Sequence, residues 1–227
     1  MTDLLHISAS PSGLASHSGS AAREFVGAYK ELNPSNHIKT INVWDLELPE
    51  FGATMIAAKF AVLRSQDATE AQRAQWAKAV RLSEEFNQAQ NYIFSLPMWN
   101  YGVPYRLKHY IDVVTLPGQN WSWSRADGYR PLLKDKRAVL IYSSAGDFSG
   151  EAAGAYEDYQ KPFMRQWLRF VGIEVVDEIA VAPTLTDPES LAKIKYESAQ
   201  RARASESLLS GAPQRRPAGI PVDIRRG

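Results

Sequence analysis

Three short segments carry the residue types from which a ligand site could be built. The first, Ser8 to Ser20, reads SASPSGLASHSGS and sets hydroxyls at Ser8, Ser10, Ser12, Ser16, Ser18 and Ser20 directly ahead of an amphipathic stretch. A loop of this kind at a helix N-terminus offers backbone N–H groups and several O–H donors, which together can hold a phosphate dianion without a lysine. Taken alone, the same residues would also make a plain loop and helix cap. The second segment, Pro97 to Pro104 (PMWNYGVP), joins turn residues to Trp99 and Tyr101. Its turn amides could meet the polar edge of a planar ring beside apolar aromatic surface, or its aromatics could simply belong to the core. The third, Ser143-Ser144-Ala145-Gly146, would by itself be an ordinary strand-to-helix connection.

The chemistry these segments could serve is narrowed by what the chain lacks. Neither the GxGxxG dinucleotide fingerprint nor the GxxxxGK[ST] phosphate loop is present, so neither a Rossmann dinucleotide site nor an NTPase is supported. With no cysteine there are no disulfides, thiolate nucleophiles or Cys-based metal sites. Redox chemistry would have to come from a bound organic cofactor. Of the four histidines, His17 lies in the first segment, while His6, His37 and His109 show no metal-ligand spacing and read as structural.

Positioning these segments falls to an alternation of strands and helices. Leu4 to Ser8, Ile38 to Val43, Tyr92 to Leu96, Ala138 to Tyr142 and Glu174 to Ala182 are strand candidates. Between them, Ala22, Phe25, Val26 and Tyr29 share one helical face. A longer helix is expected after an Asp67-to-Glu70 capping pattern and carries Trp76, Val80 and Phe86. A third is expected to start with Pro104 at its first position, a fourth at Pro162, and a last over about Pro188 to Leu209. Five alternations predict an α/β fold, a flavodoxin-like doubly wound five-stranded parallel sheet with helices on both faces. The default order, 2-1-3-4-5, puts its ligand crevice at the carboxyl ends of the first and third strands, where the first two segments lie.

The chain has 227 residues, the size of one α/β domain. Its net charge of +1 gives no field that points to nucleic acid or to an anionic membrane, and no apolar stretch approaches a membrane span. A cytoplasmic protein with a small-molecule partner is expected. Residues 1–210 are expected to form one domain, with a hairpin-like insertion at about 120–133 around Asp127-Gly128, and 211–227, rich in proline and arginine, a flexible tail. Trp121, Trp123 and Tyr129 of the insertion are expected beside the ligand edge.

Taken together the three segments resemble those of the FMN-dependent NADH azoreductases, also described as NAD(P)H quinone oxidoreductases, of the flavodoxin-like superfamily. The resemblance runs from Leu4 to about Leu209, and its most specific part is PMWNYGVPYRLKHYID, Pro97 to Asp112. It implies that Ser10, Ser16, His17 and Ser18 contact the FMN phosphate, and that Met98, Trp99, Asn100 and Tyr101 run along the isoalloxazine ring. Ser143, Ser144, Ala145 and Gly146 would line its far edge. Two positions depart from the family pattern: Tyr101 stands where Phe is usual, and Phe148 where a His or Tyr is usual.

The resemblance further implies a homodimer and a ping-pong cycle in which NADH or NADPH reduces the flavin and is then replaced on the same face by a quinone or azo acceptor. No side chain is assigned as an essential acid or base. The competing reading is a flavodoxin-type electron carrier without its own substrate; carriers of that type are shorter and strongly acidic, unlike this chain. A non-enzymatic interaction protein is suggested only by the arginine-containing tail.

Overall fold

Five segments that read as strands pair side by side into one parallel sheet, in the spatial order Ile38–Asn42, Leu4–Ser8, Asn91–Pro97, Lys136–Ser143, Ile173–Val181. The computed structural model describes residues 2–64, 68–149 and 157–210. The strands are β1 (Leu4–Ser8), β2 (Ile38–Asn42), β3 (Asn91–Pro97), β6 (Lys136–Ser143) and β7 (Ile173–Val181). Each bond between neighbours is parallel, as in Leu4 against Ile38 and Asn91, so the order is the expected 2-1-3-4-5 once the two hairpin strands are set aside. Every residue of β1 is buried, His6 and Ser8 included, which is why it shows no alternation: a strand covered on both faces has no solvent-facing side.

Helices α1 (His17–Leu32) and α6 (Pro188–Ser205) cover one face through Ala22, Phe25, Tyr29 and Ala202 against Leu4, Ile93, Val139 and Ile141. Helices α3 (Glu70–Asn87), α4 (Tyr105–Val114) and α5 (Gln160–Val171) cover the other through Phe86, Leu107, Tyr110, Met164 and Trp167. Local signals fix their ends. The Ser16 side chain caps α1, Asp187 caps α6 by accepting from the Ser190 N–H (2.9 Å), and Gly172, at φ 97°, ends α5 where a Cβ would overlap the Leu133 carbonyl. No helix among the described residues is long and apolar enough to cross a membrane.

Several expected boundaries move. Thr69, not Asp67, caps α3, in a reciprocal capping box with Gln72; Asp67 lies outside the described residues. Pro104 is the residue before α4 rather than its first, and α5 begins two residues ahead of Pro162. The last helix breaks at Glu206 into α6 and the short α7 (Ser207–Ser210). A further helix, α2 (Ala53–Leu63), was not foreseen: its sequence, ATMIAAKFAVL, is apolar nearly throughout and shows no clean stripe.

The hairpin forms as expected, from β4 (Trp121–Ser124) and β5 (Gly128–Pro131), with Trp123 opposite Tyr129. Its location corrects the expectation. Helix α4 starts at the carboxyl edge of the sheet and carries the chain to the amino edge, so the hairpin stands by the start of β6 and the end of α5. There Leu133 N–H donates to the Val171 carbonyl (3.2 Å) and Trp121 packs on Phe170 (5.6 Å). Trp121 is buried, whereas Trp123 and Tyr129 are 58% and 64% exposed at the edge of the sheet opposite the three segments. The tail, 211–227, lies outside the described residues.

Candidate functional site

Because all five strands run the same way, the segments after β1, β3 and β6 emerge together at the carboxyl edge. The first closes on itself. The Ser10 carbonyl accepts from the Gly13 N–H (3.0 Å) and from Asn42 Nδ2 (3.2 Å), and Ser10 Oγ accepts from the Ser12 N–H (3.3 Å). Gly13, at φ 50°, opens a single 3₁₀ turn, and Ser16 then donates to the Gly13 carbonyl (2.7 Å) while accepting from the Gly19 N–H (3.0 Å). Ser16 is thereby the N-cap of α1, and His17, Ser18 and Gly19 form its first turn.

That turn holds two polar atoms with nothing to bond. Ser18 Oγ and His17 Nδ1 are both buried and have no partner, although an unsatisfied buried polar group costs about 1–3 kcal/mol. Both stand at the positive end of α1, whose first turn contains no acidic residue. Burial, and then the charge of Lys195, push the His17 imidazole below its ordinary pKa.

The second segment is a tight turn built without glycine at its tip. Trp99 and Gly102 exchange both backbone hydrogen bonds (3.0 and 2.9 Å), and between them Asn100 and Tyr101 take φ of 47° and 66°. Positive φ at two successive non-glycine residues costs about 1–3 kcal/mol each and persists only where the surroundings impose it. They do so here at several points. The Met98 N–H donates to the Ser143 carbonyl (2.7 Å), the Tyr159 N–H to the Tyr101 carbonyl (3.0 Å), and Gln160 Nε2 to the Pro97 carbonyl (2.7 Å). Below the turn, Trp99, Trp44 and Tyr105 pack with ring centroids 5.3–6.2 Å apart.

The third segment is tied to the chain after β7. The Ser144 carbonyl accepts from the Thr184 N–H and Oγ1 (2.9 and 3.0 Å), and the Ala145 carbonyl from the Leu185 N–H (3.1 Å). Ser144 Oγ donates to the Gly146 carbonyl (2.8 Å), and Phe148 lies edge-on to Tyr101 at 6.2 Å. Ser143, the last residue of β6, is buried against Pro97 of β3. The structure thus brings Ser10, Ser16, His17, Ser18, Met98, Trp99, Asn100, Tyr101, Ser143, Ser144, Ala145 and Gly146 to one edge of the sheet. The phosphate-type donors sit over β1, and the aromatic turn and small-residue loop over β3 and β6.

Sequence reasoning missed the residues that hold the segments in place: Asn42, Trp44 (whose Nε1 donates to the Ala9 carbonyl, 3.0 Å), Tyr159, Gln160 and Thr184. Only Asn42 carried a signal, since it lies at the carboxyl end of the strand expected over Ile38 to Val43. His6 is buried against Ser95 Oγ (2.9 Å), and burial pushes it down to about 4; His109 Nε2 donates to the Pro49 carbonyl (2.9 Å). Among the described residues no group of acids and histidines could hold a metal. A groove of about 670 Å³ runs along β7 and is lined by none of the residues of the three segments. Its charges are already matched, Arg165 with Glu178 and Arg201 with Asp177 (2.5 and 2.7 Å).

The family profile described as Flavodoxin-like fold matches residues 2–205. A relative from Desulfotalea psychrophila, named FMN-dependent NADH:quinone oxidoreductase, is 38% identical over 92% of this chain and 100% of its own. FMN-dependent NADH:quinone oxidoreductase 3 of Pseudomonas fluorescens is 35% identical over 92% of this chain and 98% of its own. In fold, the chain is similar to an azoreductase from Bacillus anthracis (TM-score 0.81, 23% identity, 92% of this chain and all of that one). It is likewise similar to an FMN-dependent NADH-azoreductase of the same species in complex with FMN (TM-score 0.79, 23% identity, 93% of this chain and all of that one).

Proposed function

We propose, from the premise that the chain belongs to the flavodoxin-like family of FMN-dependent NADH:quinone oxidoreductases, that it binds FMN at the carboxyl edge of β1, β3 and β6 and reduces quinones and azo compounds with NADH or NADPH. When bound, FMN supplies a two-electron relay that lets donor and acceptor use one site in turn, a ping-pong cycle. The observation that carries the reading is the pair of buried, unpartnered atoms, Ser18 Oγ and His17 Nδ1, at the N-terminus of α1. Their chemistry suits a phosphate: a donor hydroxyl and a ring nitrogen belong to the first turn of a helix, where the dipole favours a dianion.

The chain's own residues then have separate tasks. Ser10, Ser16, His17 and Ser18 hold the phosphate. Met98, Trp99, Asn100 and Tyr101 run along the ring; the Met98 and Trp99 N–H groups are taken up by the Ser143 and Gly102 carbonyls, and Asn100 and Tyr101, at the tip of the turn, present theirs to the ring in a direction fixed by their strained φ values. Ser143 to Gly146 close the far edge, and Tyr101 with Phe148 gives that edge an aromatic wall that selects flat acceptors by shape. Phe148 offers no proton to the acceptor.

A homodimer and a cytoplasmic setting are part of the same proposal. Trp123 and Tyr129, exposed at the opposite edge of the sheet, are support for a second copy: within one chain they cannot line the site, and only a partner's hairpin could. Purified protein should carry the yellow absorbance of a flavin, bleach when NADH alone is added, and recolour with quinone. Initial-rate plots against NADH at several quinone concentrations should be parallel; intersecting lines would overturn the shared site, and a colourless protein that takes up no FMN would overturn the reading.

A further inference from the structure

Helix α6 crosses the sheet beside α1, and ion pairs fix their relative register. Both helices leave the carboxyl edge and run in the same direction. Arg203 of α6 meets Glu24 and Glu31 of α1 (3.8 and 2.8 Å). Eight residues back along α6, about 12 Å toward the carboxyl edge, stands Lys195; the same step back along α1 from between those two glutamates reaches its first turns, near Ser20. An ammonium on α6 is therefore level with the turn that holds His17 and Ser18. The effect of the Lys195 charge on the His17 imidazole is an independent sign of that proximity.

Lys195 also differs from the other cations of its helix. Lys193 lies 3.9 Å from Glu197, Arg201 pairs with Asp177, and Arg203 with Glu24 and Glu31. Among the described residues Lys195 has no ion-pair partner. An exposed cation without an ion-pair partner stands beside two unpartnered buried polar atoms and a helix N-terminus whose first turn holds no acid.

We infer that Lys195 is a binding residue for the cofactor's phosphate, acting through space from α6 as the cation that the serine-rich loop itself lacks. The inference rests on the FMN reading above and goes beyond it by giving the phosphate site a contribution from the far end of the chain. Its signature is specific to the phosphate, because riboflavin presents the same ring with no charge at that end. It is also sensitive to salt, since an exposed charge is screened over a few ångströms at high ionic strength.

The test is titration of the apoprotein with FMN and with riboflavin, followed by flavin fluorescence at low and high salt, for wild type, Lys195→Gln, Lys195→Arg and Lys193→Gln. Lys195→Gln should weaken FMN about three- to tenfold at low salt and less at high salt, with riboflavin unchanged. Lys195→Arg should stay near wild type, and Lys193→Gln, the same charge change two residues away, should have the smaller effect. Unchanged FMN affinity in Lys195→Gln, or an equal loss of riboflavin, would overturn the assignment. Failure of the wild type to prefer FMN over riboflavin would overturn the phosphate site itself.

Discussion

Gly19 and Gly13 are in such close contact that a Cβ on Gly19 would overlap the Gly13 carbonyl oxygen and come within 2.8 Å of Ser16 Oγ. The first turn of α1 is thus folded directly onto the loop that precedes it. Gly19→Ala should push the loop away from the turn, lowering FMN affinity at least tenfold and the unfolding free energy by about 1–3 kcal/mol. Fluorescence titration and urea unfolding read the two effects; a variant normal in both would mean that the loop is not held as described.

The two serines at this turn should separate stability from binding. Ser16 caps α1, so Ser16→Ala should lower stability by about 1 kcal/mol. Ser18 Oγ has no partner, so Ser18→Ala should leave the apoprotein's stability nearly unchanged while removing a charge-assisted hydrogen bond to FMN worth about 1.5–3 kcal/mol. Equal FMN affinity in Ser18→Ala and wild type would show that the hydroxyl faces something else.

His6 should make the protein acid-sensitive without being part of the site. In the unfolded chain it protonates near 6.5, and in the fold, where it is buried, only at about 4. Between those values the unfolded state holds the extra proton. The stabilisation is therefore complete above about pH 6.5 and is lost progressively toward pH 4, by about 3 kcal/mol in all. Denaturant unfolding from pH 7.5 to 4 should show this fall in wild type and a shallower one in His6→Gln. The same slope in both would acquit His6.

If the hairpin meets a second copy, Trp123→Ser with Tyr129→Ser should convert a dimer to a monomer by light scattering while leaving the fold intact. Trp121 is not a usable probe, because it is buried against Phe170 and its loss would disturb α5. A wild-type monomer at micromolar concentration would defeat the assembly proposal.

Much of this architecture was legible because parallel strands covered on both faces are dominated by apolar residues without alternation, as AVLIY is and as LLHIS is apart from His6 and Ser8, and because their order dictates which loops converge. The boundaries were less legible: Thr69 and Asp67 are both sound capping residues, and only the reciprocal bond with Gln72 selects the former. Helix α2 escaped because an almost wholly apolar segment has no period to read. The hairpin's sequence was read correctly and its place wrongly, although the direction of α4, leading away from the carboxyl edge, already carried that information. Tyr159, Gln160 and Thr184 left no trace in the sequence, since each acts on a loop through one contact across the sheet.

Those contacts have a kinetic consequence. Trp44 reaches the Ala9 carbonyl across 35 residues of chain, Thr184 the Ser144 carbonyl across 40, and Gln160 the Pro97 carbonyl across 63. Each of these bonds joins elements that only the paired sheet brings together, so the edge that receives the cofactor is completed with the strand order or after it, not before. Cofactor added during refolding should consequently leave the early rates alone and act by mass action on the finished state, slowing its escape back to the unfolded chain.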